Sequence, residues 1–351
     1  MISELRLYQF RCYSQLAWEV PERGALILGD NAQGKTTLLE ALCFALRLHS
    51  PRTAQAAKML RHGAPQFGLR LTVQDIVRRI VWNGGKLDLR VNDEQRADYA
   101  AYLSDSAPVV WFGNQDMELI MGASEQRRAH LDFLGTQWHP GYRNELLRYR
   151  KALKSRNHLL KYGSRNPASI RSYTKLLVEH GERLVSLRAQ LLRLLLPHIV
   201  QSHERIAGRA EPVELHYIRS TEEPLADMLE RSFDDDLRCG HTRYGPHRDD
   251  FRLCINGMPA ADYASEGQRR TLAAALKFAQ ASLLCEETGI APYLLIDDIF
   301  GELDPSRRQC LMEMIPRDSQ VFITTTHDSW AQDNASLPKF TLSGGQLHPA
   351  S

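Results

Sequence analysis

Residues 24–48 run from a short apolar stretch, GALILG, through GDNAQGKTT into KTTLLEALCFALRL, whose apolar residues recur at helical spacing. No other part of the chain restricts its fold as much. Gly29, Gly34, Lys35 and Thr36 satisfy G-x-x-x-x-G-K-[ST], a loop that needs a strand before it and a helix after it. Such a loop turns successive backbone N–H groups, and the positive end of the helix, toward one anion. The expectation is an α/β protein of the P-loop NTPase class. The loop alone leaves the use of the phosphate open, because kinases, transporters, motors and switches all carry it.

Other segments read as strands on both sides of a helical middle. ELRLYQF, LRLTVQDIVRRIVW and KLDLRV alternate or run apolar, as strands do, in the first third. PYLLIDDIF and SQVFITTTH, in the last third, are short apolar runs of the kind buried in a parallel sheet, and DFRLCINGMP reads as a hairpin arm. Between them, Leu146, Tyr149, Leu153, Arg156 and Leu160 fall at steps of three and four, and so do Ile170, Tyr173, Leu177, His180, Leu184, Leu187, Leu191 and Leu194. This spacing predicts two helices with a coiled-coil-like seam, joined by the turn YGSRNPAS and closed at Pro197. His180 in that seam reads as a packed residue that sets register. Residues 1–118 plus 236–351 are expected to build one head lobe, with packing of the helix that opens at residue 265 against the second lobe as the alternative. Residues 119–235 are expected to form a helical second lobe, bearing a short antiparallel hairpin at about 144–196 that projects from the head.

The net charge of +2 hides an uneven distribution: Arg127–Arg193 holds 15 Lys/Arg against 4 Asp/Glu. A basic middle in an acidic frame fits a polyanion contact, and it also fits a solvated helical surface. No apolar run approaches the roughly 18 residues that span a bilayer. The opening MISELRLYQF alternates and carries charge early, as a strand does and a signal peptide does not. The six cysteines form no CxxC pair, which suits reduced thiols, and a cytoplasmic protein is expected.

In the phosphate loop the contacts with a nucleotide would come from Gly29, Asp30, Asn31, Ala32, Gln33, Gly34, Lys35, Thr36 and Thr37. Lys35 would reach the β- and γ-phosphates of ATP, and the Thr36 hydroxyl would ligate Mg²⁺. YLLIDDIFGELD, residues 293–304, ends an apolar run in two carboxylates. Asp297 is placed to support the metal and Asp298 to orient an attacking water. An acidic pair after a strand can equally be a turn or a helix cap. SEGQRR opens a helix at residue 265, where Ser265 and Gly267 could present a hydroxyl, N–H groups and a helix dipole to a phosphate, or Ser265 could simply cap the helix. In ABC-type ATPases such an element completes the site of a second copy, head to tail. TTTH ends the last apolar run with His327.

Taken in order, the phosphate loop, QRR before a helical arm, GPHRDDF, SEGQRR, LLIDDIFGELD and TTTH resemble the RecF family, bacterial recombination mediators with an ABC-type head. Further marks are FRCY at 10–13, where the family has an FRNY-like tetrapeptide, the GPHRDD block at 245–250, and a SELD-like loop at 301–304. The resemblance covers nearly the whole chain. It implies that Lys35 and Thr36 bind phosphate and Mg²⁺, that Asp297 supports the metal, that Asp298 is the catalytic carboxylate and His327 the switch histidine. It further implies that Ser265 and Gly267 act in trans on the γ-phosphate, that Asp304 lies at a dimer interface and that Arg11 lies near the base. The activity implied is weak DNA-stimulated ATP hydrolysis, serving as a switch. An ATP-dependent homodimer would clamp DNA at single-strand gaps and junctions, with RecR and RecO as partners, RecA loading downstream, and a part in SOS induction. Three departures stand out: NAQGKTT for NGQGKTN, Gly301 for Ser, and no alignable Q-loop glutamine, with Gln115 in FGNQDMEL the candidate. For GPHRDDF a turn capped by Asp249 competes with a catalytic role. Other readings of the same head are a transporter ATPase subunit, a chromosome-organising SMC-type head and a small-molecule kinase. The block GPHRDDF and the charged hairpin argue against the first, the short arm against the second, and SEGQRR with His327 against the third.

Overall fold

The computed structural model describes residues 1–162, 167–299, 305–326 and 337–350. The chain opens with β1 (Ile2–Phe10) and β2 (Tyr13–Glu19), paired antiparallel around a tip at Arg11–Cys12, and continues with β3 (Gly24–Leu28) into α1 (Lys35–Arg47). Then come β4 (Phe67–Val73), β5 (Ile76–Trp82), β6 (Leu87–Val91), β7 (Glu94–Gln95), α2 (Tyr99–Leu103) and β8 (Val109–Gly113). LRLTVQDIVRRIVW is therefore two strands and not one. The chain reverses at Gln74–Asp75, with Gln74 at φ 53°, and no glycine or proline marks the turn. Pairing of Leu69 with Ile80 on the buried face fixes that register.

The middle of the chain comprises α3 (Glu118–Met121), α4 (Ser124–Trp138), α5 (Tyr142–Tyr162), α6 (Pro167–Ala207), β9 (Val213–Ile218), α7 (Leu225–Arg231), α8 (Phe233–Cys239), β10 (Asp250–Ile255), β11 (Met258–Pro259), α9 (Ala260–Tyr263) and α10 (Glu266–Thr288). DFRLCINGMP forms the expected hairpin, β10 with β11, and β9 joins it as the third strand. In α5 and α6 the seam residues Tyr142, Leu146, Tyr149, Ala152, Leu177 and Leu184 are buried, but they share their core with Leu225 and Leu229 of α7. The hairpin is thus packed against α7 over this stretch. At Gly181 a Cβ would come within 2.8 Å of Leu225 Cδ2, so the close approach of α7 depends on a missing side chain. Pro197 does not end the second helix: α6 runs through it to Ala207. A proline inside a helix costs about 3 kcal/mol, but Leu195, Ile199 and Ile206 are buried around it. Each such side chain contributes about 1.5–3 kcal/mol, which outweighs the break.

The remaining elements are β12 (Tyr293–Asp297), α11 (Pro305–Glu313), β13 (Val321–Thr325), β14 (Lys339–Ser343) and β15 (Gln346–Pro349). They complete a six-stranded sheet in the order β15-β14-β3-β13-β12-β8, in which every neighbouring pair is parallel except β14–β15. A second six-stranded sheet, β2-β1-β4-β5-β6-β7, is antiparallel throughout. The apolar helix α1 packs against strands of both, which explains why nearly all of its residues are buried. Because β3, β12 and β13 are parallel, Leu28, Asp297 and Thr325 end on one edge, the edge where open α/β sheets carry their sites.

The chain divides into two compact units, residues 1–114 with 284–351, and residues 115–283. Residues 236–283 thus group with the middle of the chain, and not with the head as the sequence pattern suggests. Their strands β10 and β11 have β9 as their sheet partner, and that pairing draws them there. Among the described residues no helix is long and apolar enough to cross a membrane.

Candidate functional site

The phosphate loop joins β3 to α1 as its spacing demanded. Gly34 stands at φ 107°, and a Cβ there would meet Cys12 Sγ at 2.8 Å and Tyr13 Oη at 3.0 Å. A Cβ on Gly29 would meet the Leu342 carbonyl oxygen at 2.7 Å. Both glycines are needed for space, and Gly34 for conformation as well. The first turn of α1 carries no acidic residue and no side chain caps it, so its N–H groups face an anion without competition. Lys35 is buried, its Nζ donating to the carbonyls of Gly29 at 2.6 Å and Asp30 at 2.9 Å. Burial lowers its pKa, while the nearby Asp298, Asp297 and Asp30 carboxylates pull the other way.

Thr36 and Asp297, separated by 261 positions, come together: Thr36 Oγ1 donates to Asp297 Oδ1 at 2.9 Å. Thr324 Oγ1 on β13 donates to the same oxygen at 2.8 Å. Burial raises the Asp297 carboxyl above its usual range, the two hydroxyls lower it and Asp298 adds to the rise. A carboxylate so placed gains from a divalent cation. One hydroxyl and one carboxylate beside a phosphate cradle are the hard oxygen donors that Mg²⁺ takes, with phosphate and water filling the remainder. Asp298 follows at φ 53°, its N–H donating to the Thr324 carbonyl at 3.1 Å and its Oδ1 accepting from the Thr326 N–H at 3.3 Å. A left-handed aspartate costs conformational energy, and such residues gather where a side chain must be aimed.

FRCY, residues 10–13, turns out to brace the loop. Phe10 is buried, and Arg11, at φ 51°, grips Glu40 of α1 through two hydrogen bonds of 3.0 and 2.7 Å. Glu40 is fully buried and also accepts from Ser50 Oγ at 2.5 Å. Tyr13 Oη donates to the Gly34 carbonyl at 3.0 Å. The tetrapeptide thus fixes the first turn of α1 from outside. Sequence reasoning missed Tyr13, Glu40 and Thr324, whose roles depend on which strand lies beside which. Of the other loop residues, Thr37 is buried, Asp30, Asn31 and Ala32 are exposed, and Gln33 Oε1 accepts from the Gly344 N–H at 3.3 Å.

In the second unit, Ser265 is exposed at the start of α10. Its Oγ accepts from the Gln268 N–H at 3.3 Å while Gln268 Oε1 accepts from the Ser265 N–H at 3.0 Å, a reciprocal cap that meets the simpler reading of SEGQRR. Gly267 lies one step inside that turn, and Gln115 is exposed in a short 3₁₀ turn, Asn114–Met117. GPHRDDF is a structural hub. Buried Asp249 accepts from Tyr217 Oη at 2.6 Å and the Ser220 N–H at 2.7 Å, while Asp250 takes a two-pronged contact from Arg127 at 2.7 Å on each oxygen. Buried Arg188 of α6 donates to the Pro246 carbonyl at 2.6 Å and to Asp132 at 2.8 Å. Asp249 as a structural cap accounts for this block. His180 is packed as expected, its Nδ1 2.8 Å from Glu145 Oε2. The outer face of α5 presents Arg148, Lys151, Lys154 and Lys161, all exposed, and the sole carboxylate of the helix, Glu145, is turned to His180. Gly301, Asp304 and His327 lie outside the described residues.

The family model for the RecF/RecN/SMC N terminal domain matches residues 1–346. A DNA replication and repair protein RecF from Rippkaea orientalis is 32% identical over 385 residues, covering 99% of this chain and 99% of its own. The RecF protein of Shouchella clausii is 32% identical, with 95% of each chain covered. A solved structure of the recombination mediator protein RecF with ATPrS, in the RecFOR pathway, superposes with a TM-score of 0.90 at 28% identity, covering 100% of this chain and 98% of the other. An Smc head bound to the C-winged helix domain of ScpA shares the fold at a TM-score of 0.56 and 14% identity, over 99% and 97% of the two chains.

Proposed function

The chain belongs to the RecF family of DNA replication and repair proteins, and on that premise we propose that it is an ATP-dependent DNA clamp of recombinational repair. The observation that carries the reading is the meeting of Thr36, at the head of α1, with Asp297, at the end of β12, beside an uncapped helix N-terminus. The loop 29–37 would hold the phosphates of ATP, and Thr36 with Asp297 would hold Mg²⁺, which neutralises charge developing on the transferred phosphoryl group. Lys35 would leave the carbonyls of Gly29 and Asp30 for phosphate oxygens. Asp298, aimed by its left-handed backbone, orients a water for attack. Ser265 and Gly267 of one copy complete the site of the other, so that nucleotide binding stabilises a homodimer by differential contacts. The relatives solved with ATP and ATPrS and described within the RecFOR pathway support nucleotide use and the mediator partners RecR and RecO. The exposed cations along α5 support a sequence-tolerant contact with DNA phosphates at gaps and junctions, with hydrolysis releasing the DNA.

Sedimentation velocity with a gapped duplex, with and without Mg·ATP, tests this reading. Wild-type protein should dimerise and move onto DNA when ATP is present, and Lys35→Ala should do neither. Asp298→Asn should dimerise and bind, yet hydrolyse ATP about 10²- to 10⁴-fold more slowly, the range a positioned base contributes. ATP-dependent dimers of Lys35→Ala on DNA would sink the proposal.

A further inference from the structure

Four arginines stand directly opposite one another across four neighbouring strands of the antiparallel sheet. Arg6 of β1 pairs with Arg70 of β4, Arg70 with Arg79 of β5, and Arg79 with Arg90 of β6. Residues opposite in register point to the same face, and this face is open: Arg6, Arg70 and Arg79 are exposed and Arg90 is partly so. Arg6, Arg70 and Arg79 line a groove of about 730 Å³, which Tyr8, Gln15 and Gly68 also border. No sequence pattern announces it, because the four residues come from four separate segments.

Such a row costs stability. Like charges directly across a sheet repel, and here three successive pairs do so. The compensation is incomplete. Glu4 takes Arg6 at 2.6 Å and stands 3.9 Å from Arg70, Asp88 takes Arg90 at 3.1 Å, and Arg79 has no ion pair among the described residues. Glu19 lies across from Glu4, so two of the acids on this face are gathered one row away, toward the sheet's end. A fold that needed only a solvated sheet face would alternate the signs.

We propose that this arginine row is a nucleic-acid contact that holds a phosphate backbone without reading bases, an inference that rests on the DNA-clamp reading above. Strands about 4.8 Å apart spread four arginines over roughly 14 Å. At about 3.4 Å of rise per nucleotide, that length meets on the order of four nucleotides of one strand. Arginine's planar fork matches phosphate oxygens in pairs, and an incoming phosphate would replace the shared carboxylate Glu4 and give Arg79 its missing partner. A small anion would need only one or two of the four. A membrane surface would want apolar side chains beside the charges, and Tyr8 is the one exposed large hydrophobic residue lining the groove. Tyr8 lies in the next row, with Gly68 across from it leaving its ring uncovered on that side, and it can stack on a base or sugar.

The double variant Arg70→Ala, Arg79→Ala tests this, read by DNA affinity across a series of salt concentrations. Neither residue belongs to the phosphate loop or the acidic strand end, so ATP-dependent dimerisation should be unchanged. The slope of log affinity against log salt should fall by roughly 2, about 0.9 for each phosphate no longer neutralised. Arg70→Lys with Arg79→Lys should keep the slope, since charge carries it. The melting temperature of the alanine variant should stay level or rise, because repulsion is relieved; a purely structural row would lower it. An unchanged slope in a folded alanine variant overturns the row alone and leaves the clamp reading standing. Wild-type dimers that bind no DNA at any salt overturn the reading beneath it. Loss of binding to phosphatidylserine vesicles, with the DNA slope intact, would overturn the proposal in favour of a membrane surface.

Discussion

Ala32 stands at φ 67° in the phosphate loop, at the position where the family's NGQGKTN places glycine. A left-handed L-residue costs roughly 1–2 kcal/mol, and glycine at such a site gives back part of that through its freer unfolded chain. Ala32→Gly should therefore stabilise the first unit by about 1 kcal/mol, seen as a rise of the melting temperature in calorimetry. A lower melting temperature would mean that the methyl group has a packing role. The positions of Lys35 and Thr36 at the start of α1, and of Asp297 at the end of a parallel strand, were legible from the sequence. The loop's braces were not: nothing in FRCY shows that Tyr13 will bond the Gly34 carbonyl or Arg11 grip Glu40, because those contacts exist only once β1 and β2 lie across α1. Arg11, expected near a nucleotide base, has its guanidinium committed to that buried carboxylate.

Among the elements, the hub that ties α5 to β10 carries a titrating group. His247 Nε2 donates to the Thr242 carbonyl at 3.0 Å, which leaves Nδ1 of the neutral ring to accept from Tyr149 Oη at 2.6 Å. Burial lowers its pKa to about 4. Its folded value lies below its unfolded one, so between pH 6.5 and about 4 the unfolded chain binds the proton and the folded chain does not. Stability from this residue is present above pH 6.5 and is lost as pH falls, at up to about 1.4 kcal/mol per pH unit. Urea unfolding at pH 7 and pH 5 should show that loss in wild type and a smaller one in His247→Gln. Equal pH dependence in both would remove His247 as the cause. The elements themselves were legible where one period held for many residues, as in α1 and the seam of α5 and α6. They were not legible where tertiary packing overrode a local signal. Gln74 turns a hairpin without glycine because the buried partners on β4 and β5 demand it. Pro197 fails to stop α6 because the residues on both sides of it are buried. GPHRDDF offered a turn capped by Asp249 beside a catalytic role, and the cap becomes visible only in the partners of Asp249 and Asp250.

At the scale of the whole molecule, the site as read needs two chains. Lys35, Thr36 and Asp297 belong to one compact unit, whereas Ser265 and Gly267 belong to the other. If Ser265 and Gly267 act in trans, two inactive variants should rescue each other. Lys35→Ala loses the phosphate loop but keeps a working Ser265. Ser265→Arg blocks the SEGQRR turn but keeps a working loop, at a cost of about 1 kcal/mol for the lost cap. In a mixed two-fold dimer, one of the two composite sites pairs two defects and the other pairs the intact loop of one copy with the intact Ser265 of its partner. Neither variant should close a dimer with itself, and each mixed dimer has one good site of two, so ATP turnover should recover to at most about half of wild type. The recovery should fade on dilution below the dimer's dissociation constant and be absent for either variant alone. A site completed within a single chain gives no recovery at any mixing ratio, because each chain carries its own defect. Recovery on mixing would require Ser265 and the phosphate loop to come from different copies, and nucleotide binding would then be inseparable from closure of the dimer.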